Sequence, residues 1–333
     1  MVTVHRASVD PGLRAEVRAQ RPLHYREGAR PALDLPAHVR AGSALCWVGS
    51  RLAVVQDDVR CIAVVDPVSA SVESVVLDAG ESGARQFDEG RGNKKQKLDL
   101  EACVSFTEGP SVHVIAFGSG SSSRRETIVV LEFGSEEPVR IREIAAPRWY
   151  GALREHHAFA GSELNIEGAA ILPNGALRLF QRGNGMPKNG LEPVNASADI
   201  DFVSLLRDIA RGEITTPSIE NVRQYDLGHC GAARITFTDA SVHRDEILFV
   251  ATAEDSPDAV NDGPVTGVFV GRIDSRGEVA KMARVFDPRG EPFLFKAEGL
   301  ALDPRDANTA YLVLDRDDPA IPSDLCTLAL SGI

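Results

Sequence analysis

The 333-residue sequence predicts an all-β fold made of repeated four-stranded units closed around an axis, a single β-propeller. Two observations lead there. Short apolar, strand-like runs dominate the chain and fall into blocks bounded by Gly, Pro, Asp and Ser clusters. A short phrase also recurs, as Glu101-Ala102-Cys103-Val104, Glu167-Gly168-Ala169-Ala170 and Glu298-Gly299-Leu300-Ala301, each time with a glutamate ahead of small and apolar residues. Recurrence in one local setting is the mark of units that bring equivalent positions together.

The first block, residues 42–78, reads as Ala44 to Gly49, Leu52 to Val55, Cys61 to Val65 and Val72 to Leu77, a meander of four strands. The second, 98–146, repeats that order through Leu100, Val112, Thr127 and Val139. The third spans 164–228 and the fourth 231–287. The fifth, 297–331, has only three strands, so the N-terminal run at 2–9 is expected to supply its outer strand and close the ring, which removes open sheet edges. Five blades are expected over a single domain of residues 1–333, with six as the alternative. Small residues at Ser43-Ala44, Ala102, Gly168, Ala232-Ala233 and Gly299 suit the crowded start of an inner strand. In the third block Phe202, Leu205, Leu206 and Ile209 lie at helical spacing ahead of Gly212 and predict a short amphipathic helical insertion.

Composition narrows the partners. With 36 Lys+Arg against 48 Asp+Glu the net charge is -12, which opposes generic attraction to nucleic acid or an anionic membrane. A small polar or anionic molecule is the expected ligand, with a protein partner as an open alternative. The five cysteines are widely spaced, without the pairing of a zinc site, and read as small core residues of a cytoplasmic protein. The opening residues carry no continuous apolar segment of the kind that spans a membrane.

Antiparallel pairing puts the start of each first strand and the end of each second strand on one face. That face would gather the three glutamates with Asp57 and Asp58, Ser119 and Ser121 beside Arg125, Arg182 and Asn184, and Asp315 and Arg316, while Asp99, His229 and Lys296 approach from the preceding connections. Carboxylates converging on an axis repel unless water, basic side chains or a cation intervenes, and an oxygen-rich setting suits calcium. Glu101, Glu167 and Glu298 are therefore candidate metal ligands; equally, they could cap inner-strand amides or pair with arginines. The Gly118 to Ser123 run followed by Arg124 and Arg125 reads as a flexible connection or as an anion-binding turn. No serine-nucleophile elbow, Walker phosphate loop or zinc-protease helix is present.

Through Asn165-Ile166-Glu167-Gly168-Ala169-Ala170 and Lys296-Ala297-Glu298-Gly299-Leu300-Ala301 the sequence resembles bacterial phytase-like or esterase-like β-propeller families, largely uncharacterised. Leu98-Asp99-Leu100-Glu101-Ala102 is a looser match, and Ser43 and Ala232 stand in place of the glutamate in the first and fourth blocks. The resemblance implies a propeller and an acidic central funnel, without carrying over phytase activity. Function is expected at that funnel. One reading is calcium-assisted hydrolysis of an ester, lactone or phosphoester, with Glu101, Glu167 and Glu298 holding the metal or activating water and Arg125, Arg182 and Arg316 positioning an anionic group. The other is a non-catalytic propeller that binds a metabolite or a protein.

Overall fold

The computed structural model describes residues 3–134, 138–255, 263–274 and 276–332. Two N-terminal strands, β1 (Val4–Arg6) and β2 (Arg14–Pro22), precede the first meander, β3 (Gly42–Val48), β4 (Arg51–Gln56), β5 (Cys61–Val65) and β6 (Val72–Val76). The second is β7 (Leu100–Glu108), β8 (Ser111–Gly118), β9 (Thr127–Phe133) and β10 (Arg140–Ala145), and two helices follow, α1 (Pro147–Glu155) and α2 (His157–Ala160). The third contains β11 (Ile166–Ile171), β12 (Ala176–Gln181), β13 (Asn195–Asp201), α3 (Phe202–Arg211) and β14 (Ile219–Asp226). A two-residue strand β15 (His229–Cys230) opens the fourth, which continues as β16 (Ala233–His243), β17 (Glu246–Glu254), β18 (Val265–Ile273) and β19 (Val279–Phe286); β20 (Lys296–Asp303), β21 (Asp306–Asp315) and β22 (Asp324–Ser331) form the last.

The result is all-β and propeller-like. The first strands of the meanders pack in a circuit, β3 on β7, β7 on β11, β11 on β16, β16 on β20 and β20 back on β3. Side chains alternate across each strand and feed two different cores. In β8, Ile115 and Phe117 pack towards the third meander, whereas Val114 and Ala116 pack towards the first. In β4, Leu52 and Val54 face the last meander and Ala53 and Val55 the second. Strands covered on both faces explain the continuous apolar runs in the sequence. The cysteines are free, and Cys46, Cys61, Cys103 and Cys326 are buried among these cores. Among the described residues no helix is long and apolar enough to cross a membrane.

The last meander is completed from the N-terminus, but not by residues 2–9. Its outer strand is β2, antiparallel to β22 from Arg14↔Ser331 to Pro22↔Asp324. Of the segment expected there, β1 instead runs parallel to β14 of the third meander, and Val9 bridges Met282. The reason is amphipathicity: Ala15 and Val17 are 2% exposed and join Leu328 and Leu330 in one core, while Arg14, Glu16 and Arg18 point to solvent. The Val4-His5-Arg6 run offers no such face. Strand β2 also pairs parallel with β19, at Val285↔Ala15 and Phe286↔Glu16, and joins the fourth and last sheets.

The predicted helix is α3, capped by the Asp201 carboxylate accepting from Ser204 N at 3.2 Å and stopped by Gly212 in the left-handed region (φ 75). Between the second and third meanders the chain forms α1 and α2, where Trp149 and Tyr150 are buried. Every first strand carries a β-bulge that leaves one residue out of register, and those residues are Ser43, Glu101, Glu167, Thr238 and Glu298. The equivalent of the glutamate is thus Thr238 rather than Ala232, because the β15–β16 hairpin starts the strand early and leaves Ala232 in its turn.

Candidate functional site

The bulges create the site. An extra residue in one strand bends the chain and re-aims its side chain. The residue after the bulge must then let a neighbouring inner strand pass closely. A Cβ on Gly168 would lie 3.1 Å from Ala240 N, and one on Gly299 would lie 2.9 Å from the backbone of Ala44 and Leu45. At that place in the fourth strand Asp239 is buried, with its carboxylate accepting from Ala240 N at 2.8 Å and from Leu300 N at 2.7 Å. It ties adjacent inner strands together at the axis. Burial pushes its carboxyl well above the usual range despite those bonds.

Two residues before each bulge stand Ala41, Asp99, Asn165, Thr236 and Lys296, and at the ends of the second strands Asp57, Ser119, Arg182, Thr252 and Asp315. The charged groups come from the first, second, third and last meanders; the fourth places buried Thr236, Thr238 and Thr252 at these levels. Local capping sets the ends. Gln56 accepts from Arg40 N at 2.9 Å and Gln181, at the equivalent place in the third meander, accepts from Asn165 N at 2.7 Å. Asp99 adopts φ 57, a region asparagine and aspartate tolerate, and its carbonyl accepts from Ser119 N at 2.9 Å.

These levels surround a cavity of about 380 Å³. Of the predicted residues, Asp57, Asp58, Glu101, Arg125, Glu167, Arg182, Asn184, Lys296 and Asp315 line it. Glu298 lies beneath, its carboxylate 3.5 Å from Lys296 Nζ and 3.6 Å from Arg182 Nη1. Ser119 and Ser121 turn their hydroxyls to one another at 2.8 Å, and Ser119 also bonds Asp99; the Gly/Ser loop thus serves an aspartate through its hydroxyls. Like Glu298, Ser119 and Ser121, the predicted His229 and Arg316 are not part of the cavity wall. His229 is exposed in the β15–β16 hairpin opposite Arg234, and Arg316 bonds Asp324 at 2.8 Å and sits over the Phe295 ring at 4.5 Å. His156 and His157, at the α1–α2 junction, are also away from it.

Most cations of the wall are committed to carboxylates. Arg182 reaches Glu254 at 2.8 Å and Glu167 at 3.4 Å, and Lys296 reaches Asp317 at 3.1 Å and Asp315 at 3.6 Å. Arg40, 2% exposed, bonds Asp58 at 2.5 Å and Asp88 at 3.2 Å. Lys97 bonds Asp57 and lies 2.7 Å from Asp99, whose second oxygen takes Arg125 at 2.8 Å. Asp99 stands at the mouth as expected, whereas Arg40, Asp88 and Lys97 are additions that the sequence did not single out. Their signal was position, since each lies in or beside a segment leading into a first strand.

The carboxyls titrate unusually as a result. Burial pushes Glu101 well above the ordinary range, reinforced by the charges of Asp99, Glu167 and Asp57. Burial also raises Asp57, raises Asp58 to about 8 with the help of neighbouring Asp57, and raises Glu167 and Asp315 to about 6 against the pull of Arg182 and Lys296 respectively. Asp99 goes the other way: burial opposes its charge, but Lys97 and Arg125 outweigh it.

Asp57, Asp99 and Glu101 offer carboxylate oxygens all within 4.8 Å of one another. An ion about 2.3–2.6 Å from each fits such a span, and the all-oxygen donor set suits calcium. Asp57 Oδ1 is buried without a hydrogen-bond partner, which leaves it available as a ligand. The three glutamates of the repeat do not form this group by themselves: Glu101 belongs to it, whereas Glu167 and Glu298 face Arg182.

Fold and site together define a propeller-like all-β protein with an acidic cavity at the convergence of its inner strands. Residues 38–330 match the model of a family of unknown function, DUF6929, and the chain belongs to that family. No curated protein matches the sequence. Among solved structures the chain is similar to glutaminyl cyclase from Myxococcus xanthus, at 11% identity and TM-score 0.45 over 99% of each chain. It is also similar to the allergen Mala s 1 of Malassezia sympodialis, at 11% identity and TM-score 0.46 over 86% of this chain and 92% of the other. An exo-1,5-alpha-L-arabinanase from a bovine ruminal metagenomic library is similar at 9% identity and TM-score 0.44, over 89% and 97%. Likeness at this level transfers no chemistry.

Proposed function

We propose that the chain is a single five-bladed propeller whose cavity binds a small polar molecule, and that it hydrolyses an ester or lactone with the help of calcium held by Asp57, Asp99 and Glu101. The observation that carries this reading is the convergence of those three carboxylates on the wall of a polar cavity. Bound there, calcium would polarise a carbonyl oxygen. Asp58, on the wall of the same cavity and with Oδ1 lacking a hydrogen-bond partner, is the candidate group to take up a proton there. Arg182 and Arg316, expected to position an anionic group, are engaged with carboxylates, which favours an ester or lactone over a phosphoester. The kinship to phytase-like and esterase-like propellers is proposed at this level only, and the net charge of -12 supports a small ligand rather than nucleic acid or an anionic membrane.

A second reading, a non-catalytic binding propeller, is favoured by the ion-pair network itself, because Lys97 already bridges Asp57 and Asp99 without a metal. Thermal unfolding with calcium and with chelator, for the native chain and Glu101→Gln, tests the metal. At a hundredfold excess over its Kd, calcium should stabilise the native protein by about 2.7 kcal/mol and the variant much less. Turnover of p-nitrophenyl acetate and of an aryl lactone, lost in Glu101→Gln, separates catalysis from binding. An unfolding temperature indifferent to calcium would remove the metal, and absent turnover would leave the binding protein.

A further inference from the structure

Lys97 stands where the cation would. Its side chain is 9% exposed, and its ammonium contacts Asp57 Oδ2 and lies 2.7 Å from Asp99 Oδ1, two members of the carboxylate trio. It satisfies the trio only in part, since Asp57 Oδ1 has no hydrogen-bond partner and the Glu101 carboxylate forms no hydrogen bond or ion pair among the described residues. A divalent ion within bonding distance of Asp57, Asp99 and Glu101 would sit against this ammonium, and two cations that close repel strongly where water is scarce. Arg125 does not share this conflict: it holds the other oxygen of Asp99, at 2.8 Å.

Resting on the calcium reading above, we propose that Lys97 is a tethered rival for the metal position. Its ammonium neutralises Asp57 and Asp99 in the metal-free protein and leaves them when an ion binds. Metal affinity is then a difference between two cations on one set of oxygens, and the residue tunes it. A monovalent ion gains little from the exchange, because it replaces one unit charge by another. A divalent ion brings a second unit of charge to the same three carboxylates. Lys97 thereby makes the cavity selective for divalent over monovalent ions.

Calcium titration calorimetry on the full-length protein and on Lys97→Met tests this, with the Lys97 ammonium resonance of the native protein followed by nitrogen-15 NMR. The variant is expected to bind calcium about tenfold or more tightly, and the native resonance is expected to move on calcium saturation. If Lys97→Met does not fold, the resonance decides by itself. Calcium binding with equal or weaker affinity in the variant, or an unmoved resonance at saturation, overturns the role of Lys97 while the calcium reading stands. Binding to neither protein, with both folded, instead removes the calcium reading and Lys97's rivalry with it. A purely structural ion pair would lower the stability of the variant without tightening calcium binding.

Discussion

Asp239 and Glu101 occupy neighbouring levels of the axis and show two ways to bury a carboxyl. Asp239 accepts from two backbone amides of different strands, so its replacement strands buried donors. Asp239→Ala should cost about 2–5 kcal/mol in urea unfolding and Asp239→Asn distinctly less, since the amide oxygen still accepts; equal losses would deny the carboxylate its linking role. Among the described residues Glu101 has no such donors, which leaves its carboxyl oxygens open to a ligand in the cavity. The titration of Glu167 and Asp315 carries a definite sign. Their folded values, about 6, exceed the ordinary 4.5 and 3.8, so the folded chain holds protons that the unfolded chain has released. Stability should therefore fall as pH rises from about 4 to about 6 through these groups, by on the order of 2 kcal/mol each. Asp315→Asn should flatten that part of the profile, and an unchanged slope in pH-dependent denaturation would rule the residue out as a source.

At the scale of the element, the bulged first strand is the unit that matters. It combines an out-of-register residue, aimed by the bulge, with a small residue where the next strand passes. Gly299→Ala would press a methyl to within 2.8 Å of Val313 Cγ1 and 2.9 Å of the Ala44 and Leu45 backbone. A loss of about 1–3 kcal/mol is expected, whereas alanine at Gly151, which has open space around it, should change thermal stability little beyond its helical preference for alanine. The phrase Glu-Gly recurs because each half has its own geometric task. In the fourth strand the pair becomes Thr238-Asp239, which keeps the bulge but exchanges the functional charge for an internal tie.

For the whole molecule, closure depends on β2. Removing residues 1–12 deletes β1 and spares the pairing with β22 and β19; removing 1–22 exposes the edges of both strands and opens the core holding Ala15 and Val17. The shorter deletion should unfold cooperatively near the native temperature, and the longer one should aggregate or lose cooperativity in calorimetry. Like behaviour of the two would assign the closing role elsewhere.

The sequence by itself determined the strand blocks, the three-stranded final unit, the helix at Phe202–Arg211 and the level of the glutamates, because these depend on local periodicity and on short-range turn and cap chemistry. It determined much of the cavity wall for the same reason, once the alternation of strand directions put those loops on one face. Tertiary structure alone decided what each charge does. Arg182 pairs with Glu167 and Glu254, Arg316 lies beside Asp324, and Lys97 joins Asp57 to Asp99; apart from Asp99, these partners are 8 to 72 residues distant. The closing strand was likewise a matter of long-range fit. The run at 2–9 reads as a short strand, yet it is the apolar face of Ala15 and Val17 that matches the core it must cover. Ion pairing and sheet closure are chosen among distant competitors by burial and distance, and neither quantity is written in the order of the residues.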